Sequence, residues 1–304
     1  MLYGFDVGGT KIAFSVYDPA LNCRLTEQIT TPSDYPCFLT AVTEMVKRAD
    51  HLFACKGLLG IGFPGAIKGN DQRVDCANVV AIKGQTLAAD LSALLEREVK
   101  LENDANCFLL SECYGGSADN CATALAVTLG TGVGGAIFVN SAIHRGANSF
   151  AGEIGHYPLP ATMLLKYPGL PLFSCGCGRK MCLETYSSGT GLSNLYRYYA
   201  GHSAKGPEII CKYQAGDKVA SKVLDIYLDL LAAGLATAIL LLDPEVIVLG
   251  GGLSKLNILT EQLTKRLPEH LLQGMQLPQI NTAMFGETGG VRGAALLNYQ
   301  SEGK

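Results

Sequence analysis

The sequence predicts an α/β protein, and three observations predict it. Short apolar, strand-like runs alternate with longer amphipathic, helix-like runs along the chain. A strand, a glycine turn and a second strand follow one another twice, at residues 2–17 and again at 124–140. No segment has linker-like or low-complexity composition, so the 304 residues, 48% hydrophobic, can form one large core or two modest ones.

Residues 2–6 read as a strand, Gly8-Gly9-Thr10 as a turn, and 12–17 as an alternating second strand. Residues 38–53 are helix-like, with Val42, Met45, Val46 and Ala49 at apolar positions. Residues 58–63 form a short apolar strand closed by Pro64-Gly65. Residues 86–98 carry Leu87, Leu91, Leu94 and Leu95 on one stripe. A strand at 99–102 meets the following helix at Asn103-Asp104.

A second half begins near Ala122, with a strand at 124–129, a glycine loop at 130–135 and a strand at 136–140. Residues 143–182 are rich in loops. Residues 217–242 predict a long helix, with Val219, Val223, Ile226 and Leu230 at heptad-like spacing. A strand at 246–249 ends in Gly250-Gly251-Gly252, and a helix, a weak strand and a final helix at 290–299 follow. The repeated hairpin suggests an internal duplication. It places a smaller domain at 1–117 and a larger one at 118–289, with Gly115-Gly116-Ser117 as hinge. The segment 290–304 is expected to pack back on the first domain.

The net charge is -3 and no segment is dense in Lys and Arg, which argues against a nucleic-acid partner. No basic stretch followed by an apolar one opens the chain, so a cytoplasmic location is expected. The longest uncharged apolar run, 230–242, is bracketed by Asp229 and Asp243; it predicts a buried helix, too short to span a membrane. Of eleven cysteines, Cys23, Cys37, Cys55, Cys76, Cys107, Cys113, Cys121 and Cys211 are scattered and expected to be reduced thiols.

Three glycine loops are candidate phosphate contacts. In Asp6-Val7-Gly8-Gly9-Thr10-Lys11, backbone N–H groups can approach phosphate oxygens, Thr10 adds a hydroxyl, Lys11 a charge, and Asp6 can hold Mg²⁺. A plain β-hairpin fits the same residues. Gly130-Thr131-Gly132-Val133-Gly134-Gly135 matches the dinucleotide pattern, which would imply a nicotinamide enzyme, but that fingerprint requires a helix directly after the loop. The strand expected there favours a nucleoside triphosphate. Gly250-Gly251-Gly252 is the third loop, equally readable as an ordinary strand-to-helix turn.

Asp104 lies at the carboxyl end of a strand, where ligands bind in open α/β sheets. It is a candidate general base for a substrate hydroxyl, although taken by itself an Asp at this position is more readily a helix cap. Glu153, His156 and Glu184 have the hydrogen-bonding groups that sugar hydroxyls need, although such residues on loops are commonly just solvated. Cys175, Cys177 and Cys182 give the spacing Cys-x-Cys-x₄-Cys. With His156 they make a four-ligand tetrahedral zinc set, structural because every position is filled; a redox-active or fortuitous thiol cluster is the alternative.

Together these segments, in this order and nearly over the whole chain, resemble the ROK family of sugar kinases and sugar-responsive repressors. The resemblance is carried by the two strand–glycine–strand segments, Glu102-Asn103-Asp104-Ala105-Asn106, Glu153-Ile154-Gly155-His156, the cysteine cluster and Gly250-Gly251-Gly252. It implies a two-domain actin-like (ribonuclease-H-like) ATPase fold with ATP and sugar in the interdomain cleft. It implies ATP contacts at Gly4, Phe5, Asp6, Val7, Gly8, Gly9, Thr10, Lys11, Gly130, Thr131, Gly132, Val133, Gly134, Gly135, Gly251 and Gly252. The sugar would be held by Gly65, Asn78, Asn103, Asp104, Glu153, His156 and Glu184, with Asp104 as base, and the cofactors would be Mg²⁺ and structural Zn²⁺.

Residues 87–93 and 266–272 and Ala77-Asn78-Val79 resemble the members that phosphorylate O6 of N-acetyl-D-glucosamine. Kinases of glucose, fructose or N-acetylmannosamine, or a non-catalytic sugar sensor, are the rival readings. The family's repressors carry a helix-turn-helix ahead of the first glycine loop, which here begins at residue 6. A homodimer is a family-level expectation. One residue departs from the family pattern: Met181 stands where a glycine usually precedes the last ligand cysteine.

Overall fold

The computed structural model describes residues 1–299 except residues 70 and 257, so the last residues of the segment expected to pack back, 300–304, lie outside it. The described residues form two compact units: 1–120, 143–151 and 285–299 make the first, 121–142 and 152–284 the second.

The first unit is built on β1 (Leu2–Val7), β2 (Lys11–Tyr17), β3 (Cys23–Thr30), helix α1 (Tyr35–Phe53), β4 (Leu58–Phe63), the hairpin β5 (Ala66–Lys68) and β6 (Arg73–Asp75), α2 (Leu87–Leu95), β7 (Val99–Asn103) and α3 (Asp104–Cys113). Its sheet runs in the order β3-β2-β1-β4-β7. The first three strands pair antiparallel and β1, β4 and β7 pair parallel.

α1 starts one turn earlier than its apolar stripe suggests. Asp34 caps it by accepting from the Cys37 N–H, and Pro36 sits in its first turn. The helix buries Phe38, Val42, Met45, Val46 and Ala49 against the sheet, each worth about 1.5–3 kcal/mol for the larger side chains.

The second unit contains β8 (Thr123–Leu129), β9 (Val133–Val139), β10 (Ala142–Ile143), α4 (Ala161–Lys166), α5 (Glu184–Ser187), α6 (Gly189–Ala200), α7 (Gly206–Gln214), α8 (Lys218–Leu242), β11 (Val246–Gly250), α9 (Leu259–Arg266) and β12 (Gln279–Thr282). Its sheet order is β10-β9-β8-β11-β12, with β8–β9 antiparallel and β8, β11 and β12 parallel. Both sheets thus place an antiparallel glycine hairpin beside parallel strands, as the internal duplication predicts.

The apolar run at 230–242 belongs to a helix longer than the run. α8 has 25 residues and is long and apolar enough to cross a bilayer by length and composition, but 83% of its most apolar window is buried in the protein. Val223, Ile226, Leu230, Leu231, Leu235 and Ile239 form the middle of the second core.

α10 (Gly289–Leu296) packs on the first sheet at Gly4 and Gly60. A Cβ at either would lie 2.1 Å from the Val291 carbonyl oxygen or 1.9 Å from that of Ala294, so only glycine admits this helix.

Candidate active site

In the first unit, strand register gathers the candidate residues at one sheet edge. Asp6 on β1 lies opposite Gly62 on β4, which lies opposite Glu102 on β7. These are the carboxyl ends of the parallel strands, where α/β sheets bind ligands. Asn103, not Asp104, caps α3: its Oδ1 accepts from the N–H groups of Ala105 (2.9 Å) and Asn106 (3.3 Å). Its Nδ2 donates to the Gly65 carbonyl at 3.0 Å. Asn103 was expected to hold the sugar directly; most of its side chain is committed to fixing the strand end and Gly65.

The Asp104 side chain is thereby released from capping. One oxygen accepts from the Ala105 N–H at 2.9 Å; among the described residues, Oδ2 accepts no hydrogen bond. Burial raises the Asp104 carboxyl, partly offset by that backbone bond. Asp6 is raised to about 6, first by burial and then by the charge of Asp104, with Lys11 pulling it back. Two carboxylates thus share a desolvated corner.

Gly8, Gly9, Thr10 and Lys11 reach solvent, and Gly9 passes closely over the Asn78 carbonyl. Gly4, Phe5 and Val7, expected at the ATP site, instead serve the core: Gly4 receives α10, Phe5 stacks on Phe14 with centroids 4.3 Å apart, and Val7 is fully buried. Phe5 and Val7 face the first core on one side of β1, while Gly4 shares the other side with Asp6 and takes α10 there, so both faces of the strand are covered.

In the second unit, the loop at Gly130–Gly135 is followed by β9, paired antiparallel with β8 through Leu129 and Val133. The helix required by the dinucleotide fingerprint is absent at this position, which removes the nicotinamide reading. Val133 turns into the core. Gly251, at φ +81, lies so close to Leu129 that a Cβ would approach its carbonyl oxygen to 2.6 Å.

Beside Gly130, Thr131 and Gly252 opens a cavity of ≈ 870 Å³, walled by Leu129, Ile210, Leu253, Leu256 and Pro207 and edged by Gly189, Thr190, Ser193, Lys205 and Gly206. Its size and apolar walls suit a flat heterocycle. The sequence reading missed its walls on α6 and α7, which share no motif. The one usable signal was Ser188, which caps α6 by accepting from the Gly191 N–H.

The cysteine loop closes on His156. Ligand-type atoms of His156, Cys175, Cys177 and Cys182 all lie within 4.8 Å of one another. His156 Nδ1 is 3.6 Å from Cys175 Sγ, and the sulfurs of Cys177 and Cys182 are 3.6 Å apart. Tetrahedral zinc requires roughly 3.6 Å for such an N···S edge and about 3.8 Å for S···S. Those two edges match zinc and the remaining ones lie within 4.8 Å, so the four residues fit a tetrahedral zinc set.

The three thiols differ in environment. Burial pushes Cys175 and Cys182 up, while hydrogen bonding from Arg179 lowers exposed Cys177 to about 6. Met181 adopts φ +62, the left-handed region that glycine tolerates best. Its N–H donates to the Phe173 carbonyl (2.9 Å) and its own carbonyl accepts from Leu159 (2.8 Å), so the surroundings hold it there.

Glu184 and Glu153 flank the cluster. Glu184 Oε1 is 2.9 Å from Cys175 Sγ and 3.7 Å from His156 Nδ1. Its other oxygen would stand 2.7 Å from a Cβ at Gly132, which ties the cysteine loop to the second glycine loop. Glu153 lies 3.9 Å from His156 Nε2, the nitrogen facing away from the cysteines.

The sequence profile of the ROK family matches residues 2–301. Over 301 residues, 98% of this chain and 99% of the relative, the sequence is 45% identical to the N-acetyl-D-glucosamine kinase of a pathogenic Escherichia coli strain. Among solved structures, the fold is similar to the ROK hexokinase from Thermus thermophilus, with TM-score 0.86, 31% identity and coverage of 98% of this chain and 97% of that one. It is also similar to a ROK family glucokinase from Streptomyces griseus solved with glucose and AMPPNP, with TM-score 0.77, 26% identity and coverage of 99% of each chain.

Proposed function

The chain belongs to the ROK family, with its two-domain actin-like ATPase fold, and from that premise we propose that it transfers the γ-phosphoryl group of ATP to O6 of N-acetyl-D-glucosamine, giving N-acetyl-D-glucosamine 6-phosphate and ADP. The observation that carries the chemistry is Asp104: a half-buried carboxylate at the sheet edge, with Asn103 as helix cap and one oxygen left to accept a proton. As O6 attacks the γ-phosphorus, Asp104 takes the hydroxyl proton. Its raised pKa makes it a better base than an ordinary exposed carboxylate.

The ≈ 870 Å³ cavity takes the nucleotide base. Gly8, Gly9, Thr10 and Lys11 in the first unit, and Gly130, Thr131, Gly132 and Gly252 in the second, take the phosphates. Asp6 would hold Mg²⁺, which supplies neutralisation of phosphate charge. His156 Nδ1, Cys175, Cys177 and Cys182 would hold structural zinc; that orients His156 Nε2 and leaves it, with Glu153 and Glu184, as a sugar contact. Gly65, Asn78 and Asn103 complete the sugar set, Asn103 chiefly by positioning Gly65. A cytoplasmic location accords with ATP as donor and with eleven free cysteines; a homodimer is part of the family-level reading.

A kinase of plain hexoses is the second reading, favoured by the 31% identity to the Thermus hexokinase. Coupled ADP-release kinetics across glucose, fructose, N-acetylmannosamine and N-acetyl-D-glucosamine decide between them. The proposal expects the highest kcat/KM with N-acetyl-D-glucosamine; a higher value with another sugar selects the second reading, and no ADP release with any sugar rejects both.

A further inference from the structure

Residues 143–151 leave the second half of the sequence and join the first unit. From this strap Arg145 reaches Glu102, its Nε donating to Oε2 at 2.5 Å. Glu102 is almost fully buried, its side chain only 5% exposed. Its other oxygen accepts from the Asn103 N–H and from Asn106 Nδ2, both at 2.9 Å. The guanidinium is therefore pinned by the same carboxylate that fixes the residue beside Asp104.

The rest of Arg145 is open. Its side chain is 56% exposed, and among the described residues its two terminal nitrogens make no hydrogen bond. With Gly65, Ala66, Asn103 and Ser149 it lines a hollow of ≈ 20 Å³. That is too small for a ring and about enough for one water-sized group.

A guanidinium donates and never accepts, whereas an amide oxygen accepts and never donates. Anchored through its Nε, Arg145 offers its terminal nitrogens as a fork to such an oxygen. A hexose hydroxyl at the same carbon is shorter than an acetamide and does not extend as far. An anchor for the strap would need only the Nε bond, and would not require an open fork beside Gly65 and Asn103.

We propose that Arg145 is the specificity-determining residue for the N-acetyl group, its terminal nitrogens donating to the acetamide oxygen in the hollow beside Asn103. This rests on the reading of the same site as a sugar kinase. It supplies the acetamide reader for which the sequence offers no motif.

The test compares wild type with Arg145→Gln and Arg145→Lys, using N-acetyl-D-glucosamine and glucose, by ADP release and by calorimetric titration of each sugar. For Arg145→Gln, kcat/KM with N-acetyl-D-glucosamine should fall roughly 10- to 100-fold more than kcat/KM with glucose, mostly through KM, because glucose loses only what the unpaired Glu102 carboxylate costs both sugars. Arg145→Lys, which keeps the charge and loses the fork, should fall between, and it replaces the Gln variant should that one fail to fold. Equal losses for both sugars, or an unchanged N-acetyl-D-glucosamine value, overturn the proposal.

Calorimetry separates this from a failure of the kinase reading. If wild type releases no ADP with either sugar, the kinase reading falls, while selective weakening of N-acetyl-D-glucosamine binding in Arg145→Gln still supports the acetamide role. Wild type that binds no N-acetyl-D-glucosamine, or a variant that binds it equally well, overturns that role.

Discussion

Replacing Asp6 by Asn should make the protein more stable at high pH and nearly inactive. Burial and the neighbouring Asp104 charge raise the Asp6 carboxyl from 3.8 to about 6, against the pull of Lys11. Between these values the folded chain keeps a proton that the unfolded chain has lost, so folding weakens as pH rises through that window. At about 1.4 kcal/mol per pH unit, the full penalty above pH 6 is on the order of 3 kcal/mol, with about half of it developed at pH 5.

Asn keeps the shape and removes the charge. Asp6→Asn should therefore raise the melting temperature at pH 8, by about 2–4 °C per kcal/mol relieved, and by roughly half as much at pH 5. Thermal melts of both proteins at the two pH values, without Mg²⁺, measure this. Turnover should collapse in the same variant, because the proposed Mg²⁺ carboxylate is gone. A variant that melts no higher than wild type at pH 8, or gains equally at both pH values, refutes the reasoning.

Cys177→Ser should drop bound zinc, measured by atomic emission, from one ion per chain to near none. The KM for N-acetyl-D-glucosamine should then rise about 10-fold or more through His156, with ATP affected less; unchanged sugar affinity in protein shown to lack zinc contradicts the link. Ser193→Trp, which places an indole in the ≈ 870 Å³ cavity, should raise the KM for ATP at least about 10-fold and leave sugar binding by calorimetry unaltered.

Asp229, fully buried on α8, accepts from Lys166 (2.9 Å), Tyr167 (2.8 Å) and His270 (3.1 Å). Burial pushes it up, but these donors hold it below the usual carboxylate range. Its stabilisation is present above that range and lost as pH falls through the lowered value. Asp229→Ala should cost about 3–5 kcal/mol in urea unfolding.

The elements set by periodicity were legible in the sequence: the stripe of α1, the apolar length of α8, and the glycine hairpins whose Gly residues have positional reasons. The cysteine loop was legible because the proposed tetrahedral ligand set imposes spacing on the chain itself. What stayed hidden depends on long-range placement. Asn103 and Asp104 both suit a helix cap, and only the three-dimensional bonds from the Ala105 and Asn106 N–H groups to Asn103 Oδ1 show which one takes that role. Gly4 and Phe5 sit in a recognisable segment, yet both are covered, Phe5 by the first core and Gly4 by α10 on the opposite face. The return of residues 143–151 to the first unit, and the nucleotide-sized cavity assembled from α6, α7 and the Gly252 loop, leave no local pattern. They arise from side chains far apart in sequence, selected by shape rather than by spacing.

The most direct test of the account is Asp104→Asn. Proton acceptance by this carboxylate is the central claim, and general-base loss costs roughly 10²–10⁴ in rate, about 3–5 kcal/mol of barrier. The account predicts that kcat for N-acetyl-D-glucosamine falls by at least about 10²-fold while calorimetry shows the sugar still binding. Turnover within a few-fold of wild type would contradict it.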